Sequence, residues 1–244
     1  MSRPGVGAMV VVVPVRDEAA LLRGCLSSLA TAIEVASRAG LRCEVRVVLD
    51  ACTDGSGEVA RAFGFPTLIS AAGRVGAARA LGVSDALRSL DDTRVERVWI
   101  ANTDADSRVP SGWLTHQLAL SRIADVCVGT VRPDFDDLSD MHRTHWLSTH
   151  TKGRPNGHVH GANLGVRAST YLDAGGFAPM GEHEDVDLVA RCRSIGAVVV
   201  ASDEAEVVTS GRFVGRTPGG YAGYLRRQGR ELSAEGRRRG SPRP

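Results

Sequence analysis

The sequence predicts an α/β fold with a doubly wound, mostly parallel sheet, and three features of the first 131 residues lead to this class. Segments with strand and helix patterns alternate along this part of the chain. The first strand, "AMVVVVPV" at 8–15, is continuously apolar, which is typical of a strand buried on both faces. Carboxylates follow three of the predicted strands, at 14–18, 50–54 and 104–106. Ligands bind beyond the carboxyl ends of such strands, so these groups predict a site there.

Local patterns predict the individual elements. Asp17 is placed to cap a helix that has one apolar stripe and ends at Gly40. The alternation then continues through strand 43–50, a short helix, strand 66–70, helix 75–90, strand 94–106, helix 110–123 and strand 125–131.

The alternation stops after residue 131. A polar segment rich in His, Gly and Pro occupies about 132–160, and long insertions of this kind are usually functional or mobile. Beyond it we expect a helix at 182–196, a short pair of strands at 197–210 and a Gly-rich loop with a short helix at 211–228. A single domain at 1–223 accounts for these elements.

The charge of the chain is nearly balanced, with 30 Lys and Arg against 28 Asp and Glu, so no nucleic-acid partner is expected. Residues 224–244 form a basic tail with seven arginines and two glutamates, and we predict that it is partly disordered. A solvated tail is favoured over weak peripheral contact with an anionic membrane surface. The oligomeric state stays open.

Five scattered cysteines without metal-ligand spacing suit a reducing cytoplasm. The apolar segment near the start is short and is followed at once by "RDE", so no signal peptide is expected. No run approaches the about 18 apolar residues that span a bilayer, so no transmembrane segment is expected.

The pair Asp104 and Asp106 raises the question of a metal site. Side chains two residues apart on an extended segment face the same way, so both carboxylates can reach one ligand. Carboxylate oxygens suit Mg²⁺ or Mn²⁺, which would bridge a diphosphate and stabilise it as a leaving group. The composition "DADS" also suits a turn, and spacing alone does not separate the two interpretations.

Two other segments carry candidate chemistry. "EHEDVDL" at 182–188 places four acids at a helix start, where they would cap the helix or supply a general base toward a hydroxyl. We favour the functional interpretation there. "CTDGSG" at 52–57 would present backbone N–H groups to a phosphate, but an ordinary strand-to-helix turn is favoured because no P-loop or dinucleotide pattern is present.

Six segments, taken in order over about residues 8–195, resemble the motifs of the family 2 glycosyltransferases of the GT-A fold. They are "VVVPVRDE", "LDACTDGS", "VGAARALG", "DAD", "GANLGVRASTYLDAGGF" and "EDVDLVAR". The resemblance implies a Rossmann-like sheet with a nucleotide-binding half at about 8–131 and a smaller acceptor-side half at about 132–223. It implies a metal-dependent enzyme that uses Mn²⁺ or Mg²⁺. Such an enzyme moves a hexosyl group from a nucleoside-diphosphate sugar to an acceptor hydroxyl, with inversion.

The resemblance also implies roles for individual residues. Glu184 and Asp185 would lie on the acceptor side, with Asp185 as the general base. Asp106 would bind the metal, with Asp104 beside it toward the ribose and diphosphate. Gly175 and Gly176 would let the backbone approach the sugar or acceptor. The remaining donor-site residues would be Pro14, Arg16, Glu18 near the ribose, Asp50 at the base, and Arg79.

Arg212 and Arg216 lie in the Gly-rich loop that follows these motifs. Arginine forks suit phosphate groups, so the pair would clamp a diphosphate or recognise a phosphorylated acceptor. Exposure to solvent without a role is an equally good interpretation.

The chain departs from the family pattern at three points. Leu49 replaces the first aspartate of the second motif, and Ala80 replaces an asparagine. A late metal-binding histidine is missing, with His158, His160 and His183 as substitutes. These departures leave a non-catalytic nucleotide-sugar-binding module or partner subunit as an alternative. A sugar-nucleotide pyrophosphorylase is less favoured, because it would need a Gly-rich signature with Arg and Lys after the first strand.

Overall fold

The structure, a computed structural model, describes residues 3–217 and 219–240. Within these residues the chain forms one mixed sheet with the strand order β3-β2-β1-β4-β7-β6-β8-β5. The strands are β1 (Ala8–Val15), β2 (Arg42–Asp50), β3 (Thr67–Ser70), β4 (Val98–Asn102), β5 (Ser107–Arg108), β6 (Val126–Pro133), β7 (Leu164–Arg167) and β8 (Val199–Thr209). β7 is antiparallel to β4 and β6, β5 is antiparallel to β8, and the other pairs are parallel. The mostly parallel α/β class predicted from sequence is confirmed.

Helices cover both faces of the sheet. They are α1 (Ala19–Arg38), α2 (Ser56–Ala62), α3 (Val75–Arg88), α4 (Trp113–Leu120), α5 (Asp140–Thr149), α6 (Ala168–Asp173), α7 (Glu184–Ser194) and α8 (Tyr221–Gly240). Alternate residues of β1 enter two separate cores: Val11 and Val13 pack with α1, whereas Val10 and Val12 pack with α3. Strand β1 is therefore apolar on both faces, as its sequence indicates.

Helix α1 is long and apolar enough to cross a membrane by length and composition, with a mean hydropathy of 1.4. Its apolarity has another physical origin, because Leu22, Leu26 and Leu29 are fully buried in the first core. No other helix in the described part of the chain passes the same test.

Three local predictions were wrong. Asp17 does not cap α1: it has a φ of 50°, and its carboxylate accepts hydrogen bonds from the backbone N–H groups of Thr53 and Asp54. The strand predicted at 94–106 is confined to β4 and is preceded by a 3-10 turn at Val95–Arg97. The segment 197–210 is not a strand pair but the single strand β8, which is long because it pairs with β6 on one side and β5 on the other.

The basic tail also differs from its prediction. The short helix expected near 221–228 continues as α8 to Gly240, so the backbone of 224–240 is helical where partial disorder was predicted. Residues 241–244, the rest of the predicted tail, lie outside the described residues.

Candidate active site

A cleft of about 840 Å³ opens beyond the carboxyl ends of β1, β2 and β4. The parallel strands bring their acidic ends to this edge of the sheet, as sequence reasoning predicted. The cleft is lined by Pro14, Arg16, Glu18, Asp50, Arg79, Asp104, Asp106, Glu184, Asp185, Arg212 and Arg216. All predicted site residues except the two glycines therefore lie at one cavity.

Arg79 connects two acidic residues of the cleft, Asp104 and Glu184, through one buried guanidinium group. Its side chain is 1% exposed; Nε donates to Glu184 Oε1 at 3.0 Å, and Nη2 donates to Asp104 Oδ1 at 2.5 Å. Burial alone lowers the pKa of this guanidinium, but the nearby carboxylates outweigh it and raise the pKa. Its Nη1 atom is buried without a hydrogen-bond partner among the described residues. The close approach of Gly161, where a Cβ would lie 2.4 Å from Nη2, helps to enclose the guanidinium.

Glu18 holds both arginines of the Gly-rich loop. Its carboxylate accepts from Arg212 at 2.9 and 2.6 Å and from Arg216 at 2.7 Å. Arg216 also donates to the backbone oxygen of Asp17, and Arg212 lies 2.9 Å from Asp106. The prediction that these arginines face the donor site is geometrically consistent, because both guanidinium groups line the cleft.

Asp106 lies at the most negative part of the site. Burial raises its pKa to about 6, and the charges of Asp104 and Glu18 act in the same direction, while Arg212 opposes them. Thr209, at the end of β8, lies within 3.3 Å of its Oδ1 atom. A carboxyl in this environment is stabilised as the anion when a further cation is close.

The donor set of Asp104 and Asp106 fits a hard divalent cation. Both side chains offer carboxylate oxygens to the cleft, and oxygen ligands are those that Mg²⁺ and Mn²⁺ prefer. Arg79 pairs with Asp104 at 2.5 Å, and Arg212 pairs with Asp106 at 2.9 Å. The substitutes proposed from sequence, His158, His160 and His183, line the cleft, but within the described residues none joins the two aspartates in a three-ligand cluster.

The cluster that does satisfy ligand spacing lies elsewhere. Asp17, Cys52 and Asp54 place one ligand atom each within 4.8 Å of one another. Their carboxylates already accept backbone N–H groups from Thr53, Ala19 and Ser56. These bonds fix the turn at 51–57, which confirms the ordinary strand-to-helix turn favoured from sequence.

Asp185 and Glu184 are adjacent in sequence but have different surroundings. Glu184 is 4% exposed and is paired with Arg79; burial raises its pKa, and Arg79 opposes the shift. Asp185 is half-buried at the cleft wall, where Gly161 N–H donates to its Oδ2 atom at 2.5 Å. Only Asp185 therefore combines a fixed position with access to a ligand.

Asp50 has a structural role that the sequence did not indicate. Ser70 and the Gly73 N–H donate to its Oδ1 atom, and the Arg74 N–H donates to its Oδ2 atom. It thereby fixes the loop that leads into α3 while still lining the cleft. Its neighbour Leu49 is buried in the first core against α2, which explains an apolar residue at that position.

Gly175 and Gly176, which were predicted to approach the sugar or acceptor, are not among the residues that line the cleft. They end α6 with φ values of 80° and 68°, which favour glycine. Arg191 of α7 donates to the carbonyl of Gly176 at 2.7 Å. Their role is to turn the chain toward α7.

Sequence reasoning missed one end of the cleft, which is lined by His150, Tyr221, Tyr224 and Arg227. The three-residue spacing of the tyrosines in "YAGYLRR" would have placed them on one face of a helix. That signal was lost because the helix was predicted to be short and its continuation disordered.

The sequence profile described as "Glycosyl transferase family 2" matches residues 10–171. No curated protein matches the chain significantly. Among solved structures, S. aureus TarS in complex with UDP-GlcNAc gives a TM-score of 0.62 at 16% identity, over 87% of this chain and 61% of that one. The mannosyltransferase PcManGT from Pyrobaculum calidifontis, in complex with GDP-Man and Mn²⁺, gives 0.59 at 18% identity, over 100% of this chain and 66% of that one. The M. tuberculosis glucosyl-3-phosphoglycerate synthase gives 0.55 at 15% identity, over 93% of this chain and 80% of that one.

The chain spans only 36% to 61% of the TarS chains that it matches. At these identities the similarity shows the fold, which is GT-A. Because the family profile covers well over half of the sequence, and because the fold agrees with it, the chain belongs to glycosyl transferase family 2.

Proposed function

We propose that the protein moves a hexosyl group from a nucleoside-diphosphate sugar to an acceptor hydroxyl, with inversion and with Mn²⁺ or Mg²⁺. One observation carries the proposal: a single cleft holds Asp104, Asp106 and two arginines together with the accessible Asp185. The first group suits a diphosphate with its cation, and the second suits an incoming hydroxyl.

Asp185 acts as the general base in this proposal. Its carboxylate takes the proton of the acceptor hydroxyl while that oxygen forms a bond to the anomeric carbon. The bond between the anomeric carbon and the phosphate oxygen breaks, and the nucleoside diphosphate leaves with the electron pair. Attack on the face opposite to the leaving group inverts the configuration. The backbone N–H of Gly161 holds the carboxylate during proton transfer.

Asp106 and Asp104 would hold the metal ion, which would supply positive charge to the leaving diphosphate. Arg212 and Arg216 exchange Glu18 and Asp106 for phosphate oxygens when the donor enters, because the guanidinium fork suits both partners. Pro14, Arg16 and Asp50 line the nucleotide end of the cleft.

We propose the following organisation of the chain. Residues 1–223 form one domain, with the nucleotide-binding half at about 8–131 and the acceptor-side half beyond it. The enzyme works in the cytoplasm.

A thermal-shift panel of UDP-, GDP- and dTDP-sugars, with and without Mn²⁺, tests the function. One nucleotide should raise the melting temperature, and Mn²⁺ should enlarge the shift, because a ligand stabilises the state that it binds. Slow Mn²⁺-dependent hydrolysis of the same donor should accompany binding. Binding without hydrolysis or transfer would favour the non-catalytic module, and no response to any nucleotide would contradict the proposal.

A further inference from the structure

One end of the cleft is aromatic. The rings of Tyr221 and Tyr224, at the start of α8, are stacked with centroids 5.8 Å apart. The His160 ring meets the Tyr221 ring edge to face at 5.8 Å, and His158 lies 6.3 Å from His160. All four rings line the cleft. Hence a ligand at this end meets flat surfaces with polar edges.

This end of the cleft is also nearly uncharged, in contrast to the donor end. Burial lowers the pKa of His160 and of His150, so both rings are neutral at pH 7. Near these rings Arg227 is exposed, and the buried Arg79 guanidinium beside Gly161 is already paired with Glu184 and Asp104. The Glu182 carboxylate accepts from the Gly219 N–H at 2.8 Å, and Asp185 accepts from the Gly161 N–H at 2.5 Å. A phosphate or carboxylate bound among these rings would lose its hydration without gaining a buried cation that is free of a carboxylate partner.

We propose that the acceptor is an uncharged sugar ring that packs against Tyr221 and His160 and directs one hydroxyl to Asp185. The inference rests on the proposed function, because it assigns the acceptor of the same site. Aromatic rings cover the apolar C–H face of a sugar, while the tyrosine and histidine edges meet its hydroxyl groups. His160 lies between the aromatic surface and the general base. Its ring contacts Tyr221, and the backbone N–H of its neighbour Gly161 donates to Asp185.

Saturation-transfer NMR with the methyl glycosides of glucose, galactose and mannose tests the proposal without requiring turnover. The full chain is used alone and with UDP or GDP and Mn²⁺. At least one glycoside should receive saturation, with millimolar affinity. Tyr221→Ala should weaken that affinity about tenfold, and Tyr221→Phe should retain it, because the ring supplies the contact. Leu147→Ala, at an exposed position outside the cleft, is the matched control.

A second arm compares glucose with glucose 6-phosphate. Tighter binding of the phosphate, lost in Arg227→Gln, would overturn the proposal in favour of an anionic acceptor. Absence of glycoside binding when a nucleotide does stabilise the protein would also overturn it. Failure of the proposed function has a different signature, because no nucleotide would then stabilise the protein at all. Donor stabilisation should be equal in wild type and Tyr221→Ala, which shows that the variant is folded.

Discussion

At the scale of single residues, the site depends on buried charges that are matched to one another. Arg79 illustrates this, because its guanidinium is the counter-ion of both Asp104 and Glu184 while almost none of it meets water. Removing one member of such a group leaves the others charged and buried.

Arg79→Met should therefore lower the free energy of unfolding by about 3–5 kcal/mol, because it leaves two buried carboxylates without their counter-ion. Urea unfolding at pH 7 measures the change. Arg88→Met on the same helix is the control, because its side chain is 66% exposed and its loss should cost about 1 kcal/mol or less. Equal losses of unfolding free energy in the two variants would mean that the buried Arg79 network stabilises the fold no more than an exposed ion pair does.

Asp185→Asn should retain donor binding and lose transfer by a factor of about 10²–10⁴, because an amide cannot accept the hydroxyl proton. Steady-state kinetics and a donor thermal shift on the same sample separate the two effects. Asp187→Asn is the matched control, since its carboxylate pairs with Arg191 and does not line the cleft. Normal turnover by Asp185→Asn would remove Asp185 from the role of base.

Asp106→Ala should stay folded and lose the Mn²⁺-dependent part of nucleoside-diphosphate binding. The substitution removes a carboxylate that the fold stabilises poorly in its charged form, so stability should not fall with affinity. Calorimetric titration with and without Mn²⁺ measures the affinity. An unchanged, metal-dependent affinity would show that the cation binds elsewhere.

At the scale of elements, the turn between α6 and α7 leads into the acidic helix and does not line the cleft. Gly175 and Gly176 share left-handed φ values, but a Cβ at Gly176 would lie within 2.9–3.1 Å of the Tyr171 ring, whereas Gly175 has no contact closer than 3.6 Å.

Gly175→Ala should cost about 1 kcal/mol from backbone strain alone. Gly176→Ala should cost more, because Tyr171 must also move. Thermal unfolding ranks the two variants, and the turnover number of the folded fraction should match wild type in Gly175→Ala. A selective rise in the KM for donor or acceptor in Gly175→Ala would restore the role in ligand contact that the sequence suggested.

Sequence patterns predicted the elements that alternate and missed those that depend on distant partners. The acidic strand ends were found because parallel strands terminate at one edge, so Glu18, Asp50 and Asp104 could be placed together in advance, whereas Asp185 was assigned to the site from the family resemblance. The length of β8 could not be found, because it depends on pairing with β5 and β6. The tyrosines of α8 were missed for a similar reason: α8 is polar overall, and its local composition resembles that of a disordered tail.

At the scale of the whole molecule, Asp125 connects Arg3, near the start of the chain, to the sheet. It accepts two hydrogen bonds from Arg3, at 2.8 and 2.9 Å, and one from the Val198 N–H. The bond from Arg3 is the main cause that lowers the pKa of Asp125 below its usual value. A carboxyl whose pKa is lower in the folded protein adds stability above its unfolded pKa, near 4, and loses it as the pH falls through the folded value.

Asp125→Asn should therefore destabilise the protein by about 2 kcal/mol at pH 7, and the difference from wild type should shrink below about pH 4. Chemical unfolding over a pH series measures this convergence. Asp92→Asn provides an exposed control whose effect should be small at every pH. A difference that stays constant down to pH 2 would mean that the charge of Asp125 is not what stabilises the fold.

Residues 210–224 connect the two arginines to the two tyrosines, and this connection has a consequence for how the two substrates bind. This stretch follows β8 directly, carries both arginines that Glu18 holds, and delivers Tyr221 and Tyr224 to the other end of the cleft. In the proposed exchange, a diphosphate that takes these arginines from Glu18 pulls on the same backbone that sets the tyrosine rings. The two substrates would then not bind independently, because donor binding would change the affinity of the site for the acceptor and the reverse would hold equally.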